Sequence, residues 1–300
     1  MLIKNLFKNK KPVISFEVFP PKRDSSIETI YDTLEGLKDL KPDFISVTYG
    51  AGGSTSDKTV EIASIIKNKY YIEALAHLTC VSLSKERLQS FVQELKANNI
   101  SNIMALRGDL PENSEKDFMD SKDFKYASDL IQTIRTFDDF GVSAACYPEG
   151  HIECDSLEKD IRNLKLKVAS GADFLITQLF FDNEKLYEFM NLIKKQNINL
   201  PVTAGIMPVT NKKQIEKIIS LSGASLPPKF LRIMERYEHS PQALKQAGIA
   251  YATEQIIDLL SWGIDGIHLY TMNRPDTCRS IIQNISHVRN VLENSAITIG

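Results

Sequence analysis

Short apolar runs alternate along this chain with longer stretches in which apolar positions recur every three or four residues. The runs, rich in β-branched and aromatic residues, are "VISFEVFP" (13–20), "FISVTYG" (44–50), "EALAHLTC" (73–80), "NIMALRGD" (102–109), "VSAACYP" (142–148), "FLITQLFF" (174–181), "PVTAGIMPV" (201–209) and "GIHLYTM" (266–272). The intervening stretches carry helical spacing, as in Ile27, Ile30, Leu34 and Leu37, in Leu88, Phe91, Val92 and Leu95, and in Leu157, Ile161, Leu164 and Val168. Fitting caps precede them: Ser26, then Ser84 three residues before Arg87, then Asp155 and Ser156 ahead of Leu157. Eight strand–helix alternations with no composition break predict an α/β fold, a (β/α)₈ TIM barrel occupying residues 1–300 as one domain. The stretch 223–262 is longer than one connection needs, and "SLPPKF" interrupts it. An extra short helix is therefore expected before the long one at about 241–261. The rival is a doubly wound open sheet, which would normally place a Gly-rich turn after its first strand. Here that strand ends in "EVFPPK".

Composition narrows this picture. Of the 300 residues, 43% are hydrophobic, enough for a sizeable core. The formal net charge of −2 offers no basic excess for nucleic acid or an anionic membrane surface. Four scattered cysteines without a CxxC pair read as reduced thiols in a cytoplasmic protein, and Cys80 and Cys146 read as small packing groups. The opening "MLIKNLFKNKKP" is basic but is followed by no apolar segment of a signal peptide; it is expected to be a frayed, solvated terminus. No apolar run reaches 18 residues, so no membrane span is expected.

In such a barrel, chemistry sits where the strands end at their C-terminal side. The first run closes with Glu17 and the second with Thr48 and Tyr49 before "GAGGST". The third carries His77 and Thr79, the fourth Arg107, Gly108 and Asp109, and the fifth Tyr147, Glu149 and His151. The sixth holds Thr177 and Gln178, the seventh only Met207 and Pro208, and the eighth Tyr270, Asn273 and Arg274. Period-two alternation groups Ile103, Ala105, Arg107 and Asp109 on one face, and Val13, Ser15, Glu17 and Phe19 on another. Each piece also has a plain structural reading. Glu17 can be a rim carboxylate, His77 a satisfied core histidine, Arg107 and Asp109 an ordinary pair, and "GAGGST" a flexible turn instead of a phosphate-binding loop. Gln178 inside "ITQLFF" needs a partner, since a dry unpartnered amide costs roughly 2–7 kcal/mol. Five histidines without an HxH or HExxH pair argue against a catalytic metal. No run closes with a lysine, which argues against Schiff-base chemistry. What remains suits a flat, conjugated, hydrogen-bonding ligand with an anionic tail, and the hard step would fall to an organic cofactor.

These motifs resemble the methylenetetrahydrofolate reductases. The resemblance runs nearly end to end, through "ISFEVFPPK" (14–22), "SVTYGAGGST" (46–55), "AHLTC" (76–80), "MALRGDLP" (104–111), "YPEGH" (147–151), "GADFLITQLFFD" (171–182), "AGIMPV" (204–209) and "LYTMNR" (269–274). It implies a (β/α)₈ flavoenzyme that reduces 5,10-methylenetetrahydrofolate to 5-methyltetrahydrofolate. FAD would carry the hydride from NADH or NADPH in a ping-pong cycle feeding methionine synthesis. Glu17 matches the general acid that protonates folate N5, a task for which its pKa is expected to be raised toward the working pH. Asp109 matches the carboxylate beside flavin and folate, a stabiliser of developing positive charge that stays ionised. Gln178 matches the amide that reads the pterin, and Arg274 the contact to the glutamate tail. Thr48, His77, Arg107, Gly108, Asp109, Tyr147, Asp160 and Lys167 match FAD contacts, with His151 a further neighbour. Arg107 and Lys167 suit the pyrophosphate, and Asp160 a ribityl or ribose hydroxyl; two helical turns separate Asp160 from Lys167 on one face. After "AGIMPVT" many bacterial members carry an aromatic where Lys212 stands here, which leaves NADH, NADPH or another donor open. Family analogy also implies a homo-oligomer, and no control by S-adenosylmethionine, because the chain stops at the barrel. The competing readings are a different flavin-containing barrel oxidoreductase and a non-catalytic partner subunit.

Overall fold

The computed structural model describes residues 1–21, 26–49, 56–81, 83–108, 123–137, 140–211, 214–215, 218–219 and 222–297; the side chains of 56, 57 and 295–297 are outside the description. Asp109, Lys212 and the "GAGGST" stretch at 50–55 therefore lie outside the described residues. Eight strands among the described residues run in sequence order: β1 (Val13–Val18), β2 (Phe44–Val47), β3 (Glu73–Thr79), β4 (Asn102–Leu106), β5 (Gly141–Cys146), β6 (Phe174–Thr177), β7 (Val202–Ile206) and β8 (Gly266–Tyr270). All neighbours are parallel, and β8 returns to β1 to close the barrel, pairing Ser15 with His268 and Glu17 with Tyr270. The fold is thus the expected (β/α)₈ barrel.

Local chemistry explains the outer layer. The helix Lys85–Ala97 starts where Ser84 Oγ accepts from the Arg87 N–H at 3.2 Å, and Leu157–Ala169 where Ser156 Oγ accepts from the Lys159 N–H at 3.3 Å. Ser26 Oγ likewise accepts from Glu28 N–H as the helix Glu28–Lys38 begins. The outer ring of apolar residues on these helices meets the outward strand positions, such as Phe16, Ile103 and Ala105, in the main core. The expected extra helix is present as Pro228–Tyr237, ahead of the long Pro241–Trp262. Both cover a smaller core over the ends of β6 and β7, built from Leu179, Phe181, Met207, Val209 and Phe230. No helix of the described residues is long and apolar enough to cross a membrane.

Inside the barrel, polarity is graded along the axis. The lower part is apolar: Val13, Phe44, Leu75, Met104, Phe174 and Ile176 pack together. The N-terminal segment seals it, which corrects the expectation of a frayed terminus. Ile3 is fully buried, Phe7 packs its ring 5.3 Å from that of Phe174, and Ile3 N–H donates to Asn102 Oδ1 at 2.8 Å. The segment's lysines stay at the rim, as Lys4 does against Asp173 at 3.1 Å, while its apolar residues point in. The upper part carries Ser15, Glu17, Ser46, His77 and His268, all buried.

Candidate functional site

Alternation on β1 turns Ser15 and Glu17 inward, and the β8 register sets His268 beside them. Ser15 Oγ donates to the Ile267 carbonyl at 3.3 Å and lies 2.7 Å from His268 Nδ1. Nδ1 thus pairs with Ser15, and Nε2 faces Glu17 Oε2 at 3.4 Å. Ser46 Oγ stands 3.4 Å from both Glu17 Oε2 and His268 Nε2. From β3, His77 Nε2 lies 3.6 Å from Glu17 Oε2, is buried, and has no hydrogen-bond partner among the described residues. Burial, against the pull of Glu17, pushes the His77 pKa down to about 4, so its ring is neutral at pH 7.

Glu17 departs from the expectation of a raised pKa. Burial does push its carboxyl upward, but the His268 hydrogen bond, the His77 and His268 charges and Ser46 together outweigh it and hold the carboxyl below its ordinary value. The reason is the pair of inward histidines beside it, one of which, His268, the motif reading did not single out. Tyr270 closes this sector. Its hydroxyl donates to the Thr177 carbonyl on β6 at 2.8 Å, crossing β7 at Gly205, where a Cβ would lie 2.4 Å from that same carbonyl oxygen. Its ring stands edge-on to His268 at 5.4 Å.

The opposite side of the mouth is built from loops and a helix. Ile103 and Ala105 face the helices, so strict alternation does not deliver Arg107 into the barrel, as the shared-face reading supposed; Arg107 lies past the end of β4. Its carbonyl accepts from Val81 N–H at 3.1 Å, and Gly108 follows with φ +86°, where a Cβ would meet Thr79 Cβ at 2.8 Å. The guanidinium pairs with Glu153. His151 Nδ1 accepts from Glu153 N–H at 3.1 Å, leaving Nε2 as the protonated nitrogen, and the ring stands edge-on to Tyr147 at 4.7 Å. Lys167 reaches back from its helix to donate to the Ala145 carbonyl at 2.9 Å, with its ammonium 5.4 Å from the Tyr147 ring centroid. Burial pushes the Lys167 pKa down and that of Asp160 up, and the attraction between the two opposes both shifts. The shared helix face expected of them is therefore present. Thr48 is half-buried at the end of β2 and tied to β1, its N–H donating to Val18 O at 3.1 Å.

The remaining predicted residues lie farther apart. Gln178 is half-buried after β6; its Oε1 accepts from Leu179 N–H at 2.9 Å, and its amide nitrogen has no protein partner among the described residues. Arg274 is exposed at the start of the helix Pro275–Asn284. Cys80 and Cys146 are buried with thiols pushed up to about 12 by burial, as packing groups would be. Sequence reading missed His268 and Ser46, and placed Ser15 on the face of Glu17 without giving it a role. The inward series Gly266, His268 and Tyr270 was the signal that could have found the first.

Comparison with known proteins identifies the family. The sequence matches the methylenetetrahydrofolate reductase family over residues 2–286. It is 35% identical to the 5,10-methylenetetrahydrofolate reductase of Pectobacterium carotovorum subsp. carotovorum, covering 91% of this chain and 89% of that protein. It is also 35% identical to methylenetetrahydrofolate reductase (NADH) 1 of Arabidopsis thaliana, of which it spans 50% of the length. Among solved structures, a Clostridium thermocellum protein described as binding two copies of 5-methyl-5,6,7,8-tetrahydrofolic acid shares the fold, with a TM-score of 0.69, 15% identity and coverage of 97% of this chain and 100% of that one. On the strength of a match over nearly the whole sequence, the chain belongs to the methylenetetrahydrofolate reductase family.

Proposed function

We propose that the protein reduces 5,10-methylenetetrahydrofolate to 5-methyltetrahydrofolate, with FAD as cofactor and NADH or NADPH as electron donor, in a ping-pong cycle that feeds methionine synthesis in the cytoplasm. The observation that carries this reading is the buried proton chain Ser15–His268–Glu17 at the mouth of the barrel, in a chain of this family. An acid that must protonate an amine inside a closed site needs a partner able to resupply the proton, and His268 is in place for it.

The residues present fit FAD. Arg107 and Lys167 are cations suited to a diphosphate, Tyr147 and His151 offer rings, and His77 Nε2 is a buried polar atom without a partner among the described residues. Gly108 brings its backbone close beside Thr79, where a side chain would not fit. Thr48, Asp160 and Asp109 complete the assignment, Asp109 on the resemblance alone. When bound, FAD supplies the hydride.

The chain's own residues then divide the work. Glu17 Oε2 delivers a proton to folate N5, which opens the imidazolidine ring to an iminium ion. His268 Nε2 restores that proton, and Ser15 holds the imidazole at Nδ1. The resting carboxylate is consistent with this, because the amine draws the proton through Glu17 only when it is seated. Asp109 stabilises the cation, Gln178 turns its free amide nitrogen to the pterin, and Arg274 takes the glutamate carboxylate. The test uses FAD-loaded protein under anaerobic conditions. NADH and NADPH are mixed with it separately, and methylenetetrahydrofolate is then added. Bleaching of the flavin by at least one nucleotide and its recovery on adding folate is the expected result. A loaded flavin that is reduced but never reoxidised by folate would refute the reading.

A further inference from the structure

The seam between β8 and β1 is carried past the strand ends by side chains. Tyr270 is the ladder partner of Glu17. Thr271 follows, donating to the Glu17 carbonyl with both its N–H at 3.3 Å and its hydroxyl at 2.6 Å. Thr271 Oγ1 accepts in turn from the N–H of Asn273 at 3.1 Å. Backbone pairing stops there, and the Asn273 amide replaces it. Its Oδ1 accepts from the Phe19 N–H at 3.0 Å, and its Nδ2 donates to the Phe19 carbonyl at 2.8 Å. One side chain thus supplies the acceptor and the donor that a neighbouring strand residue would have offered. Bringing it there puts Met272 at φ 50° and Asn273 at φ 54°, in the left-handed region that asparagine tolerates better than most residues. The next residue is Arg274, whose N–H donates to the Thr271 carbonyl at 2.9 Å.

We propose that Asn273 is a positioning residue of the folate reaction: its clamp on Phe19 holds the Glu17 carboxyl and the Arg274 guanidinium in one rigid frame. This rests on the folate reading, which sets those two groups at opposite ends of the substrate. The Asn273 side chain binds main chain alone among the described residues, so it acts through its neighbours. The carboxyl it fixes is faced by His268 and Tyr270 from β8, Ser46 from β2 and His77 from β3. The distances from Glu17 Oε2 to His268, Ser46 and His77 are 3.4, 3.4 and 3.6 Å, all near the limit of contact. A shift of a few tenths of an ångström at residues 17–19 therefore makes or breaks these contacts, and with them the proton affinity of the acid.

Two substitutions separate the clamp from the turn. Asn273→Gly keeps a left-handed backbone without strain and removes both amide bonds. Asn273→Asp keeps an acceptor for Phe19 N–H and removes the donor. Each protein is loaded with FAD, and the two half-reactions are followed by stopped flow across pH. Flavin reduction by the nucleotide is expected to stay at the wild-type rate in both. Reoxidation by methylenetetrahydrofolate should fall about tenfold or more in the glycine variant and by an intermediate factor in the aspartate variant. The midpoint of its pH profile should move by about half a unit or more in the glycine variant, because the acid's surroundings change. A purely structural role would slow the reaction equally at every pH. Wild-type reoxidation with an unmoved midpoint in Asn273→Gly overturns the inference, as does an equal loss in both half-reactions. If wild-type flavin itself is not reoxidised by folate, the underlying reading has failed, and the wild-type control tells the two apart.

Discussion

The two sides of the barrel mouth are both charged, yet they are built differently. Between β8 and β3 the groups stand on strands: His268 is fully buried, Glu17 is 6% exposed, and their contacts are set by ladder register. Between β4 and β6 the charged groups stand on loops and a helix. Arg107 follows β4, His151 and Glu153 lie beyond β5, and Lys167 reaches in from the helix Leu157–Ala169. Long side chains on adaptable segments can close around a bulky anion, whereas a proton passes only between atoms held to tenths of an ångström. The strands therefore suit the chemistry and the loops suit the holding.

The sharpest way to break this comparison is Glu17→Gln. Folate reduction should fall by about 10²–10⁴-fold while the flavin is still reduced by the nucleotide, as stopped-flow measurement of each half-reaction would show. If both fall together, Glu17 belongs to the frame and the two sides are not separable. Phe7→Ala addresses the frame itself. It should cost about 3–4 kcal/mol in chemical denaturation and leave both half-reactions intact, since Phe7 seals the far end of the barrel.

His77 gives the strand side a pH signature. Its unfolded value is near 6.5 and its folded value about 4, so between those limits the unfolded chain takes up a proton that the folded one refuses. Stability should fall as pH drops from 6.5 to 4 and level off below, by on the order of 3 kcal/mol from this residue. His77→Gln should flatten that part of a melting-temperature profile; an unchanged slope would mean that another group carries it. The smallest expected effect lies on the loop side. Lys167→Met should weaken FAD binding by about 10–100-fold in a flavin fluorescence titration, the loss of one charged hydrogen-bond donor. Once saturated, the variant should still reduce folate. Failure to do so would mean that the lysine also serves the chemistry.

How much of this was readable beforehand depended on the range of the interaction. The cap at Ser84 and the helix it starts are written within four residues, and both were legible. The barrel followed from repetition of such local signals. The N-terminal plug was not legible, because Lys4 and Asn5 interrupt its apolar residues and the partners of Ile3 and Phe7, Asn102 and Phe174, lie far along the chain. His268 sits in an apolar run and looks like a core residue until β1 is laid beside it. The pKa direction of Glu17 was missed for the same cause: burial can be inferred from an apolar run, but the histidines that outweigh it arrive from β3 and β8. Arg107 misled differently, because alternation holds only while the strand lasts, and β4 ends at Leu106.

The pairing of Glu17 with His268 spans 251 positions. A ribosome adds roughly 5–20 residues each second, so the carboxylate emerges on the order of 10–50 s before its imidazole. During that interval β1 has an open edge on the side β8 will take, and the nascent chain is exposed to pairing with a neighbour. The site that joins Glu17 to His268 therefore cannot be complete on a growing chain until the last strand has been made.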